Sequence, residues 1–302
     1  MGKVYRQQRI EGVTIPGIIQ NGSYFWQDMA VYEDGTISIW DKIDLDDVPG
    51  KIASGKLAFR VPDGKGLSVF ELCSLDIVSA KWNYDEQSYF EHIVETVRSI
   101  NPEMENIYKT TPRERAKWKE HHVGFSATPT PCKLGARFGY ELLKGDYAHI
   151  LLRNEGRLLL TAMYCYADGT FSVDGLEGCF TLDDIERMFN DKTLATKPKK
   201  GETVYLGDLG TAETKTITSV SVKDKLGELK NKSLRVQGKP DAHEAAIQAY
   251  HAYLVQPTDF YREKLREAYE AVPEHERCYL GDMDTRDGDF RRILYSDKKR
   301  EV

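Results

Sequence analysis

One seven-residue pattern constrains this chain more than any other, because it occurs twice. Tyr32-Glu33-Asp34-Gly35-Thr36-Ile37-Ser38 is echoed by Tyr166-Ala167-Asp168-Gly169-Thr170-Phe171-Ser172, 134 positions further on. Asp-Gly between two β-prone runs is a strong hairpin signal, since glycine supplies the positive φ that the reversal needs. Two further matches keep the same order. Ile18-Ile19-Gln20-Asn21 precedes the first pattern as Leu151-Leu152-Arg153-Asn154 precedes the second, and Leu45-Asp46-Asp47-Val48 follows the first as Leu182-Asp183-Asp184-Ile185 follows the second. Ordered matches with small insertions between them imply one sheet module folded twice.

The resulting expectation is an α+β fold. It has two divergent antiparallel β-rich units with short helices, then a C-terminal antiparallel helix pair and a closing hairpin. The first unit with its helical extension is expected over 1–122, a linker over 123–136, a second unit over 137–238, and the helix pair and hairpin over 239–302. A chain of 302 residues has room for about two domains.

In the first copy, strands are expected at 16–20, 24–32, 37–41, 57–61 and 67–78. Pro49 is expected to stop the segment after Leu45 at a single turn. Asp85 caps a helix of 86–100 whose Phe90, Ile93, Val94 and Val97 share one face. Thr111-Pro112-Arg113-Glu114 has the form of a capping box and opens a short charged helix to His121. Ser126-Ala127-Thr128-Pro129-Thr130-Pro131 supplies the linker.

In the second copy, Thr181 caps a helix of 182–190, and strands are expected at 203–206 and 214–222. Asp241 then caps a helix to Val255, and Gln256-Pro257-Thr258 breaks it before a helix of 259–272. This pair, over Ala245 to Val272, is similar to one unit of a tetratricopeptide-type repeat. A solenoid needs about three such units, so the resemblance implies a helix pair and not a peptide-binding groove. Arg277–Leu280 and Phe290–Tyr295 read as the hairpin, turning at Asp287-Gly288.

Composition excludes several functions. The formal net charge of −6 disfavours general binding to a phosphate backbone, so nucleic acid is not an expected partner. No run reaches the roughly 18 apolar residues of a membrane span, and the first eight residues carry no apolar stretch, so no secretory signal is expected. Five widely spaced cysteines without CxxC argue against a disulfide framework or a thiolate zinc site. Buried thiols in a reducing, cytoplasmic compartment are expected instead.

No motif carries chemistry. From Asp282 to Asp289 no register fits a calcium loop. His121-His122 are adjacent and diverge by about 100° on a helix. Cys132 has no nucleophile signature around it, and His92 and His149 read as partly buried structural histidines. Gly64-Lys65-Gly66 and Gly207-Asp208-Leu209-Gly210 lack the phosphate-loop spacing. The lysines from Lys192 to Lys200, with Lys223, Lys225, Lys230 and Lys232, read as solvated loops.

No catalytic residue, metal site or cofactor is therefore expected. The leading expectation is a non-enzymatic interaction protein of inhibitor, immunity or adaptor type, with another protein as partner. The alternative is a small-molecule binder or enzyme with a pocket between the two β units. Candidate binding residues are the aromatics Tyr24, Trp26, Tyr32 and Trp40 of the first copy, with Tyr166 and Asp168 of the second.

Overall fold

A computed structural model describes residues 10–111, 132–136, 140–280 and 288–296. The expected helix after Thr111, most of the linker, His121-His122 and most of the Asp282–Asp289 cluster lie outside these residues. So does the tip of the closing hairpin. The chain divides into two compact units. Unit 1 comprises Met1–Phe70, Ser74–Thr130 and Pro198–Ile217; unit 2 comprises Glu71–Cys73, Pro131–Lys197 and Thr218–Val302. Each unit thus incorporates a short segment of the other sequence copy.

In the first copy the strands are β1 (Gly12–Asn21), β2 (Ser23–Tyr32), β3 (Ile37–Ser38), β4 (Lys42–Ile43), β5 (Leu57–Ala58), β6 (Gly66–Val69) and β7 (Cys73–Trp82). The helices are α1 (Val48–Ala53) and α2 (Glu86–Ile100). The second copy carries β8 (Cys132–Ala136), β9 (Tyr140–Asn154), β10 (Arg157–Tyr166), β11 (Phe171–Val173), helix α3 (Leu182–Asn190), β12 (Leu194–Ala195), β13 (Thr203–Tyr205), β14 (Gly210–Ser219) and helix α4 (Val222–Val236). Helices α5 (Ala242–Val255), α6 (Asp259–Ala271) and α7 (Asp289–Tyr295) follow.

The unit 1 sheet runs β13-β14-β7-β6-β2-β1-β5. It is mixed, because β6 joins β2 in parallel through Tyr24↔Leu67. The expected α+β fold of antiparallel β-rich units holds with this parallel pair inside it: the crossover through β3, β4, α1 and β5 is long enough to return the chain in the same direction. In unit 2, β12, β9 and β10 pair in that order, with β11 on β10 and β8 on β9.

The repeated motif folds the same way twice. In each copy the Asp side chain accepts from the Thr backbone N–H at 3.0 Å and from the Thr hydroxyl at 2.6 Å, Asp34 from Thr36 and Asp168 from Thr170. Gly35 N–H donates to Tyr32 O, and Gly169 N–H to Tyr166 O, both at 2.9 Å. Gly35 (φ +73°) and Gly169 (φ +82°) take positive φ while the Asp residues do not. The reversal is therefore a turn closed by a left-handed glycine, not the two-residue turn with both central residues left-handed. The upstream match also holds: Ile19 pairs Leu57 and Ile18 pairs Ala58, as Leu152 pairs Leu194 and Leu151 pairs Ala195.

Helix starts follow their caps. Asp85 accepts from Ser88 N–H, and Thr181 from Asp184 N–H, each within a reciprocal box. Four expectations are corrected. Pro49 opens α1 rather than stopping a turn, because proline near the helix start sacrifices no intrahelical donor. Residues 67–78 form two strands, broken where Glu71 takes φ +53°. Val222 begins a helix and does not end a strand. The closing hairpin is replaced by a 3-10 turn over Glu274–Tyr279 and helix α7. Phe290 and Leu294, four apart, reach the core of the helix pair with Leu265 and Tyr269, which a helix permits and an exposed hairpin would not.

Gly210 marks a tight approach inside unit 1. Its φ is +143°, and a Cβ there would lie 2.2 Å from Lys81 O. Gly210→Ala is expected to cost at least about 1–3 kcal/mol, from backbone conformation alone. Gly66→Ala, where a Cβ meets nothing nearer than 3.7 Å, should be neutral or stabilising. Urea unfolding midpoints of the two variants test the contrast.

Candidate functional site

Helix α4 carries the most unusual chemistry in the chain. Lys225 and Glu228 both have fully buried side chains. The Lys225 ammonium uses all three of its protons: it donates to Glu228 Oε1 at 2.9 Å, to Glu228 Oε2 at 3.0 Å, and to Glu71 O at 3.0 Å. Glu228 Oε2 also meets His275 Nε2 at 2.9 Å. One helical turn on, Lys232 pairs with Glu71 Oε2 at 3.2 Å.

Burial draws the Lys225 ammonium below its ordinary value, against the opposing pull of Glu228. Burial pushes Glu228 the other way, but Lys225, the His275 hydrogen bond and Lys232 outweigh it and hold that carboxyl low. Glu71 is raised, chiefly by burial, with Lys232 opposing. The two thiols influenced by these lysines are held toward the protonated form: burial pushes Cys73 up to about 12 and Cys165 up to about 11.

The cluster borders a concave site within unit 2. A cavity of about 640 Å³ is lined by Glu71, Arg235, Gly238, Lys239, Asp241, His243, Glu244, Ile247, Glu276 and Tyr279. Helix α4 organises its walls. Asn231 donates to Glu276 Oε2 at 3.1 Å and accepts from Ala242 N–H at 3.2 Å, tying α4 to the 3-10 turn and to the start of α5. Arg235 donates to Asp241 Oδ2 through Nε at 3.1 Å and Nη2 at 2.8 Å. Asp241 caps α5 by accepting from Glu244 N–H. Burial raises the Asp241 carboxyl, but that cap and Arg235 prevail and hold it below its ordinary range.

Counting from the helix starts, Lys225 occupies in α4 the place that Tyr89 occupies in α2; Glu228 likewise matches His92, and Lys232 matches Thr96. In unit 1 the buried Tyr89 hydroxyl donates to Pro16 O at 3.3 Å, and His92 pairs with Asp208 at 2.7 Å. A backbone bond just ahead of each helix closes the corner in each unit, Asn83 N–H to Leu209 O before α2 and Val220 N–H to Leu72 O before α4, both 2.9 Å. One copy fills this corner with an aromatic and a His–Asp pair, the other with buried charges.

The expected binding residues lie elsewhere. Trp26 is buried in unit 1. Trp40 is exposed, packs on Phe25 at 5.2 Å between ring centroids and donates to Gln27 Oε1. Tyr24 and Tyr32 are half-buried in the same unit. Tyr166 is buried in unit 2 with its hydroxyl 2.9 Å from Ser172 Oγ, and Asp168 serves its turn. None of the six lines the cavity.

The lysines expected in solvated loops are corrected as well: Lys225 and Lys232 point inward from a helix. A signal was present: Ser221 lies 136 positions after Asp85, between the offsets of 134 and 137 set by the repeat, and caps α4 as Asp85 caps α2. Among the described residues no group of three His, Cys, Asp or Glu is placed to hold a metal.

Lys225→Met should cost about 3–5 kcal/mol by stranding Glu228, and the double replacement Lys225→Met with Glu228→Leu should recover most of it. Chemical denaturation of both variants measures this. Asp241 contributes stability that is present above the unfolded carboxyl value and lost as pH falls through the lower folded value. Asp241→Asn keeps the cap and removes the titration, so its stability should fall less on acidification. Urea midpoints from neutral to acid pH follow the difference.

A family model described as Domain of unknown function (DUF7638) matches residues 1–104 and again residues 136–240. A second, described as Domain of unknown function (DUF7639), matches residues 241–301. No curated protein and no solved structure matches the chain.

Proposed function

We propose that this chain, which belongs to the DUF7638 family, is a binding protein whose receptor site is the unit 2 cavity beside the C-terminal helix pair. The observation that carries the reading is convergence: carboxylates from Glu71, from α5 and from the 3-10 turn face one concave space. Its volume falls in the range of small-molecule sites. Binding is favoured over turnover by how the groups are used. Lys225 and Lys232 of α4 are tied into ion pairs, and burial favours the protonated thiols of Cys73 and Cys165. Free thiols, buried at Cys73 and Cys165 and exposed at Cys179 and Cys278, also fit a reducing, cytoplasmic setting.

Thermal-shift screening of the full chain against cationic, anionic and neutral small molecules tests the receptor site. At least one class should raise the melting temperature, and Ile247→Trp, which fills the cavity mouth, should abolish that rise. Equal shifts in both proteins would remove the cavity from the account.

A second reading has its own observation. At the tip of the helix pair, Leu254, Val255 (81% exposed) and Phe260 (64% exposed) present apolar surface, of the kind that docks a partner protein. Under this reading Val255→Lys with Phe260→Lys would abolish capture of a protein partner from native cells while leaving the fold intact.

A further inference from the structure

Glu276 is the group in unit 2 that the ion pairs leave incomplete. It is 4% exposed and lines the cavity. Among the described residues its carboxylate accepts one hydrogen bond, from the neutral Asn231 amide to Oε2. The neighbouring cations are committed. Arg235 directs Nε and Nη2 to Asp241, and Lys232 pairs with Glu71. Lys239 is exposed at the rim and donates to Gln237 Oε1 at 2.7 Å. Buried carboxylates are ordinarily paired with a cation, and Arg235, the cation whose charge acts on Glu276, directs its hydrogen bonds to Asp241.

The surroundings fit a positive guest. The wall carries four carboxylates, Glu71, Asp241, Glu244 and Glu276, beside Arg235, Lys239 and His243; ion pairs take up Asp241 with Arg235 and Glu71 with Lys232, which leaves the carboxylates of Glu244 and Glu276. Tyr279 adds an aromatic face to the same wall. Its hydroxyl is raised above the ordinary value by burial first, then by Cys278, Glu71 and Glu276, and both of those carboxylate residues line the same cavity.

Resting on the reading of the cavity as the receptor site, we infer that its ligand is an organic cation bearing an alkylammonium or guanidinium group. Glu276 anchors the charged end, Glu71 flanks it, and the Tyr279 ring packs against the stem. Charge-assisted hydrogen bonds and a cation–π contact supply the selectivity. A free polyamine and a basic amino-acid side chain share this chemistry.

Titration calorimetry on the full chain separates the possibilities. The probes are agmatine and spermidine as free amines, N-acetyl-arginine amide as a basic side chain, and glutamate as an anion. Saturable binding of at least one cation is expected, and the tighter of the two kinds identifies the source. Glu276→Gln keeps an acceptor for Asn231 and should weaken binding by about tenfold or more. Tyr279→Leu should weaken it by about threefold, and Glu267→Gln on the far face of α6 should not change it. Should Glu276→Gln fail to fold, Tyr279→Leu alone carries the test.

Cation binding undiminished by the cavity variants overturns the inference. Binding of glutamate but of no cation, abolished by Ile247→Trp, overturns the ligand class and leaves the receptor site standing. If no probe of either sign binds, this inference is overturned, and the thermal-shift screen then decides the receptor site separately.

Discussion

An ammonium group without exposed surface must find an acceptor for every proton, and unit 2 is arranged around that demand. Lys225 takes a main-chain carbonyl from Glu71 and both oxygens of Glu228. Those contacts fix more than the lysine. Glu71 is held at the wall of the cavity, His275 is drawn to Glu228, and the 3-10 turn that carries Glu276 and Tyr279 is thereby pinned to α4. Such a cluster adds little net stability over a well-packed apolar one. Its effect is to hold polar groups of three chain segments in one orientation, and the concave site follows from that.

The duplicated module shows how such a corner arises. Both copies keep the reversal, with Asp34 and Asp168 bonded to their threonines at the same distances. Both keep a capped helix of fifteen residues after the last strand. What differs is the helix face turned inward. Tyr89 needs one acceptor for its hydroxyl and finds Pro16 O. Lys225 at the same helix position needs three, and carboxylates follow it into the interior. One copy remains an ordinary core, while the other borders the cavity.

Much of the fold was legible in the residues. The Asp-Gly-Thr reversals, the caps at Asp85, Thr181 and Asp241, and the helix pair are all local, since side chain and backbone within a few positions decide them. The six aromatic and turn residues singled out by composition proved to be core, turn or surface of the sheets. Of the cavity residues, Asp241 was singled out, as a helix cap. Glu71, Glu276 and Tyr279 are separated by up to 208 positions in the chain, and none lies in a motif. Helix α4 was missed because its lysines read as solvated loops, although Ser221 falls between the repeat offsets from the Asp85 cap.

The sequence by itself determined the duplicated module, its reversals and the starts of its helices, because those depend on short-range sterics and hydrogen bonds that neighbouring residues satisfy among themselves. Tertiary structure alone decided which charges are buried and what they face. A lysine on a helix is solvated or interior according to the packing of that helix, and only long-range contacts bring Glu71, Glu228 and His275 to it. The carboxylate of Glu276 acquires its meaning the same way, from the wall it shares and from the cations already committed elsewhere.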